Sequence, residues 1–423
     1  MAANAPTATR PGSRNTIAAP VIVDFFLSGL GFYCVVPVLP TIIGILTRNP
    51  DPLLTGTALF TFTFAYKGGS LFCANTLQRL PVRTTTAGGL VIAGAGFLLL
   101  HGMTHPVGIL ACLVLAGLGV SANNISARVL VALTQAEPTA RNTAFAYIQV
   151  AINVAAAVGP LAANLLLGDH PRVLLPVIAG IFLLTASLMF VLVPRDLRPA
   201  DSATRKPRGL RVVADMVRDP RVRTVSLLTL VGSVMYGQFF SAFAIHITHV
   251  TDSPTVRGAY YTMNAVIIVA GQVLVTRLTN RALGRGHTPG IILCVGIAVF
   301  GVSFLLLALP GPSIALTFLA VGVFATAEMV FSPMVSTAYA QLGGDRPMVE
   351  VFNFRQVNAT LGESLGGFAG GALFTTLFQH RLGPAYWAGA ALIGLATAAA
   401  TAAFHRREGR PAITTLPGAG KEA

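Results

Sequence analysis

Charge is scarce in this sequence. Of 423 residues only 10% are Asp, Glu, Lys or Arg, against 54% hydrophobic. So few charges cannot clothe a soluble globular surface, and the balance is that of a membrane protein. Lysine is nearly missing: Lys67, Lys206 and Lys421 stand beside 26 arginines. That ratio is the compositional mark of a GC-rich, bacterial source. The four cysteines, Cys34, Cys73, Cys112 and Cys294, lie within apolar segments and form no Cys-x-x-Cys. This excludes a disulfide frame and a zinc site. No Gly-Lys-Ser/Thr phosphate loop occurs, so ATP-driven pumping has no support. His101/His105 and His246/His249 have metal-like spacing but no third ligand. No cofactor or metal is expected. No nucleophile–base set marks an enzyme, and a membrane-embedded sensor or enzyme is the remotest alternative.

What the sequence does have is long apolar runs. Residues 173–193 and 384–404 contain no charge at all, and about 20 such residues span a bilayer as a helix. Continuous apolarity excludes a β-barrel, whose strands would alternate. Twelve helices are expected at 18–46, 54–79, 84–103, 106–134, 142–167, 173–193, 224–247, 256–279, 289–309, 312–339, 348–379 and 384–404. The fold class is therefore all-α, with twelve transmembrane helices. A net charge of +14 would suggest nucleic acid in a soluble chain. Here no basic stripe alternates with exposed aromatics, so nucleic acid is excluded. With the N-terminus cytoplasmic, 22 of the 29 Lys and Arg fall on one side, four outside (Arg48, Arg172, Arg257, Arg381) and three within spans. That asymmetry places both termini in the cytoplasm and the chain in a bacterial cytoplasmic membrane.

The stretch 194–223 carries nine Arg or Lys and four Asp, and it separates six spans from six. The expected organisation is a tail 1–17, a half 18–193, a linker 194–223, a half 224–404 and a tail 405–423. A shift of 205 residues aligns Arg141 with Arg346, Asn153 with Asn358, Gly117 with Gly322 and Asn123 with Glu328. Two pseudo-symmetric six-helix halves produce such a repeat.

Six charges are stranded in the spans: Asp24, Lys67, Arg128, Glu328, Arg355 and Glu363. Each costs roughly 2.5–3.5 kcal/mol on insertion scales, so such residues pair, line water or move solutes. Asp24 reads as a proton or cation site, or as an interfacial cap. Glu328 is too short to snorkel to a surface. It is a candidate proton site, or else a permanently neutral group bonded to backbone. Glu363 sits in a stripe with Gly362, Gly366 and Gly370; it is a proton site or the partner of Arg355. Arg355 can hold Glu328, Glu363 or an anionic group of a substrate. Lys67 has Asp24 as its natural partner, in a static pair or a switch. Asn123, Asn124, Tyr236, Gln238, Asn264, Gln272 and Asn358 join Lys67 and Arg355 as candidate cavity residues, although some must bridge helices instead.

Several motifs resemble the major facilitator superfamily and, within it, the drug:proton antiporter branch. They are Phe32…Pro37-Val38-Leu39-Pro40, Glu137-Pro138…Arg141…Gly159-Pro160, Tyr236-Gly237-Gln238 and Ala327-Glu328-Met329-Val330-Phe331-Ser332-Pro333. The resemblance covers about 18–404. It implies proton-coupled efflux of a small organic compound by alternating access, with uptake by symport as the alternative. It implies a midplane site lined by helices 1, 4, 7 and 10, with 2, 5, 8 and 11 sliding at the seam. It also implies gating roles for Arg79, Arg83, Arg141, Gly159, Pro160 and Arg346; Arg128, near the cytoplasmic end of helix 4, reaches the surface or an interhelical gate pair. The expected partners are protons, a small-molecule substrate and the lipid bilayer, with the protein acting as a monomer. One departure concerns the family's Gly-x-Leu-Ala-Asp-Arg-x-Gly-Arg-Lys loop. Here the run is Ala74-Asn75-Thr76-Leu77-Gln78-Arg79-Leu80-Pro81-Val82-Arg83-Thr84, so the acidic latch is Gln78 and both glycines are gone.

Overall fold

The computed structural model describes residues 18–48, 51–77, 80–134, 138–169, 172–195, 197–198, 218–311, 313–342 and 348–407. The tail 1–17, residues 408–423 of the other tail, most of the 194–223 linker, Arg79 and Arg346 lie outside the described residues, as does the side chain of Arg141.

The twelve expected segments are twelve helices. The first half holds α1 (Ala18–Val35, continued by a 3-10 turn Val36–Val38 and by Leu39–Thr47), α2 (Pro52–Leu77), α3 (Val82–Leu100), α4 (Pro106–Thr134), α5 (Pro138–Asp169) and α6 (Leu174–Leu192). The second holds α7 (Pro220–Gly237, then Gln238–Phe240 and Ala242–Val250), α8 (Pro254–Gly284), α9 (Pro289–Leu307), α10 (Ile314–Leu342), α11 (Met348–Phe368, then a π turn Ala369–Phe374 and Thr375–Gln379) and α12 (Gly383–Arg407). Three of the starts follow one chemical rule. Asp219, Ser253 and Thr288 each accept a hydrogen bond from a first-turn amide, and each precedes a proline that needs no partner for its nitrogen. Pro37 and Pro40 break α1 into its 3-10 turn, because neither offers an amide hydrogen to the ladder.

Two hydrophobic clusters form. One joins α1–α6 around Phe62, Phe97 and Phe182; the other joins α7–α12 around Phe300, Phe304, Phe324 and Trp387. Among the described residues, ten of the helices are long and apolar enough to cross a membrane. The two that fall short are α2 and α11, which carry Lys67, Arg355 and Glu363. These two pack on each other, which turns their polar residues inward rather than toward lipid.

The halves touch along two seams. In the first, Gly56 of α2 and Gly371 of α11 lie so close that a methyl on either would run into the backbone of the opposite helix. In the second, Gly258 of α8 lies against Leu161 of α5, and Thr262 donates to the Ala157 carbonyl. Both seams lie toward the arginine-poor end, the end of Arg48, Arg172, Arg257 and Arg381. Beyond the second seam the same helix faces are bare. Val154 and Val150 continue the α5 face at 45% and 58% exposure, and Val266 and Val269 continue the α8 face at 56% and 58%. The halves therefore part on the arginine-rich side.

Candidate substrate cavity and its buried charges

A cavity of about 90 Å³ lies just inside the closed seams. Phe32 and Tyr33 of α1, Phe62 and Tyr66 of α2, and Tyr236 and Phe240 of α7 supply its rings. Phe62/Tyr66 and Tyr236/Phe240 are each four apart, so one face of each helix presents both rings. Phe32 ties the first set together, 4.5 Å from Tyr66 and 5.9 Å from Phe62 between centroids. The helices expected around the site were 1, 4, 7 and 10. The cavity is lined instead by α1, α2, α7 and α11, because α2 and α11 cross its wall where the halves join. Sequence reasoning passed over Phe62, Phe240 and Ser241; the four-residue aromatic spacing was the available signal.

Lys67 and Glu363 line this cavity and form an ion pair from α2 to α11, joining the halves. This corrects two expected pairings at once, Asp24 with Lys67 and Arg355 with Glu363. Tyr236 sits beside the pair, its ring centroid 5.9 Å from Lys67 Nζ, and it is also an electrostatic neighbour of Glu328.

The other two carboxyls meet amides. Asp24, almost fully buried in α1, accepts from Asn123 Nδ2 of α4 at 3.2 Å. Glu328 of α10 accepts from Asn264 Nδ2 of α8 at 3.4 Å. Neither forms an ion pair among the described residues. In each case the asparagine's own Oδ1 is buried with no donor, and so is Asp24 Oδ2. Gln272 donates to the Met329 carbonyl and to Thr276.

The remaining expected residues have other surroundings. Asn124 Oδ1 accepts from Arg128 Nε at 2.9 Å, and the Arg128 guanidinium lies 5.3 Å from the Phe25 ring centroid. Gln238 does not face the cavity. It donates to the Gly366 carbonyl and accepts from Tyr386, so it bridges α7, α11 and α12. Asn358 likewise ties α11 to α7 and α10, donating to the Ser226 carbonyl and to Tyr339. Buried amides of this kind must find partners, and helix–helix bridges supply them. Gly159 takes the close approach of Tyr33, its carbonyl accepts from Cys34, and the Pro160 carbonyl accepts from Asn164. Arg83 stacks on Phe190 within the first half, 3.8 Å from the ring centroid. Arg355 is half-buried, with its Nε lacking an acceptor.

Twelve helices in two halves, parted on one side and sealed on the other over a charged cavity, suit a carrier. The sequence model of the Major Facilitator Superfamily matches residues 23–366. The chain belongs to that superfamily. It is therefore a multi-pass membrane transporter rather than an enzyme. Over 359 residues it is 25% identical to the multidrug resistance protein MdtH of Enterobacter sp. (strain 638), covering 84% of this chain and 85% of that one. The superfamily fold is also shared with a crystal structure of peptide transporter POT in complex with sulfate, at TM-score 0.77 and 14% identity, over 94% and 96% of the two chains. The crystal structure of nucleoside transporter NupG aligns at TM-score 0.74 and 12% identity, over 92% and 99%.

Proposed function

We propose that the protein exports a small organic compound across the cytoplasmic membrane in exchange for protons. The arginine-rich end is cytoplasmic by the positive-inside pattern, which makes the open side the cytoplasmic one. The seams at α2–α11 and α5–α8 then seal the outer side. Rocking of the halves about the cavity would exchange the two states.

One observation carries the coupling. In each half a carboxyl is bound to a single asparagine whose oxygen has no donor: Asp24 with Asn123, Glu328 with Asn264. One proton on the carboxyl supplies that donor and turns the contact into a doubly bonded acid–amide pair. Loss of the proton leaves a charge at bilayer depth that the opposite state, open to water, must compensate. Glu328 is placed to sense the cavity, because Tyr236 stands between it and the Lys67–Glu363 pair. A membrane potential adds about 2.3 kcal/mol per charge per 100 mV, so even one proton per cycle sustains a gradient. The similarity to MdtH agrees with export of a drug-like compound.

The test is the sign of proton flux. The purified protein is placed in proteoliposomes with a pH-sensitive dye inside, and cationic, zwitterionic and anionic compounds are screened with and without an imposed gradient. Exchange predicts protons and compound moving in opposite directions. Movement of both in the same direction would establish uptake by symport instead.

A further inference from the structure

Of the six charges within the spans, two guanidiniums remain once the others are matched, Arg128 exposed and Arg355 half-buried. Lys67 has Glu363, while Asp24 and Glu328 have their asparagines. Arg128 and Arg355 have no carboxylate partner among the described residues. Arg128 lies six residues in from the Thr134 end of α4, and Arg355 seven in from the Met348 end of α11. At 1.5 Å per residue both stand about 9–11 Å from their helix ends, on the arginine-rich side and in opposite halves.

The setting of each suits an anion. The Nε bond to Asn124 and the Phe25 face fix the Arg128 plane, and its terminal nitrogens have no acceptor among the described residues. That leaves the two-nitrogen fork that binds oxyanions bidentately. Arg355 Nε is buried without an acceptor, and the side chain acts electrostatically on Glu363, at the edge of the cavity. Arg128 acts in the same way on Tyr66, another cavity residue. While the halves are parted, water hydrates both cations. Closure of that side would expel the water and draw the two halves together around both cations. An oxyanion between them would compensate both.

We propose that Arg128 and Arg355 form an anion subsite on the open side, so that the compound moved carries a carboxylate, sulfonate or phosphate group. This rests on the transport reading and names its substrate class. Occupancy of the subsite lets the loaded carrier close, while an empty one resists closure.

Three radiolabelled probes with one ring test it: indole-3-acetate, tryptophan and tryptamine, respectively anion, zwitterion and cation. Equilibrium binding is measured in nanodiscs without a gradient, so failure here leaves the proton-flux experiment standing. Indole-3-acetate and tryptophan are expected to bind, and tryptamine not to. Arg128→Gln and Arg355→Gln should each weaken the acids by about tenfold or more, through loss of a bidentate contact. Arg128→Lys and Arg355→Lys keep the charge but lose the fork, and guard against misfolding of the Gln variants; their affinities should fall between. Binding of tryptamine alone, binding of no probe, or unchanged affinity for the acids in both Lys variants overturns the proposal.

Discussion

Lys67 of α2 pairs with Glu363 of α11 across the two halves, in the wall of the ring-lined cavity. The pair sits just inside the Gly56–Gly371 contact, so any motion that opens that seam must stretch or break it. Breaking one partner of a buried pair leaves the other uncompensated, which is worse than losing both.

Lys67→Met and Glu363→Gln should therefore each lower stability, by about 1–3 kcal/mol given that both side chains keep some exposure. The double variant should recover much of the loss. Thermal unfolding of detergent-solubilised protein measures this. Additive losses in the double variant would show that the two residues act independently.

Glu328→Gln should abolish transport driven by a pH gradient and keep exchange of labelled for unlabelled compound, since the amide fills the same space without a proton to release. Asp24→Asn separates the two candidate sites. If Asp24 is a second coupling site, its variant loses gradient-driven transport too; if it is structural, it loses folded yield instead. Counterflow against pH-driven transport in proteoliposomes distinguishes these outcomes.

Gly258→Leu should favour opening of the arginine-poor side. The new side chain would meet the Leu161 backbone in the sealed state and find room only when α5 and α8 separate. Overpacking of this kind costs about 1–3 kcal/mol, enough to shift the populations of the two states strongly. Spin labels at the ends of α5 and α8 would report a longer distance than in the wild type.

Gln238→Leu should act on stability and leave ligand affinity alone. It removes the acceptor for the Tyr386 hydroxyl, a loss of about 1–3 kcal/mol for a buried polar group left unpaired, while the Gly366 carbonyl keeps its bond from Ser241. A lower melting temperature with unchanged binding is the expected result. Loss of affinity at unchanged stability would return Gln238 to the cavity.

The sequence by itself determined the number of spans and their places, because helix length and apolarity in a bilayer are local properties. It also marked the six charges worth attention, since each stands alone in an apolar run. Partner choice was beyond it. Lys67 and Asp24 are near in sequence and belong to one half, yet Lys67 pairs with Glu363, almost 300 positions later. Gln238 and Asn358 were polar residues in spans like any others. Only the crossing of α7 with α10, α11 and α12 turned them into bridges. The physical reason is common to all three. Burial cost is fixed by a residue and its local helix, whereas compensation comes from whatever the tertiary packing sets within hydrogen-bond reach.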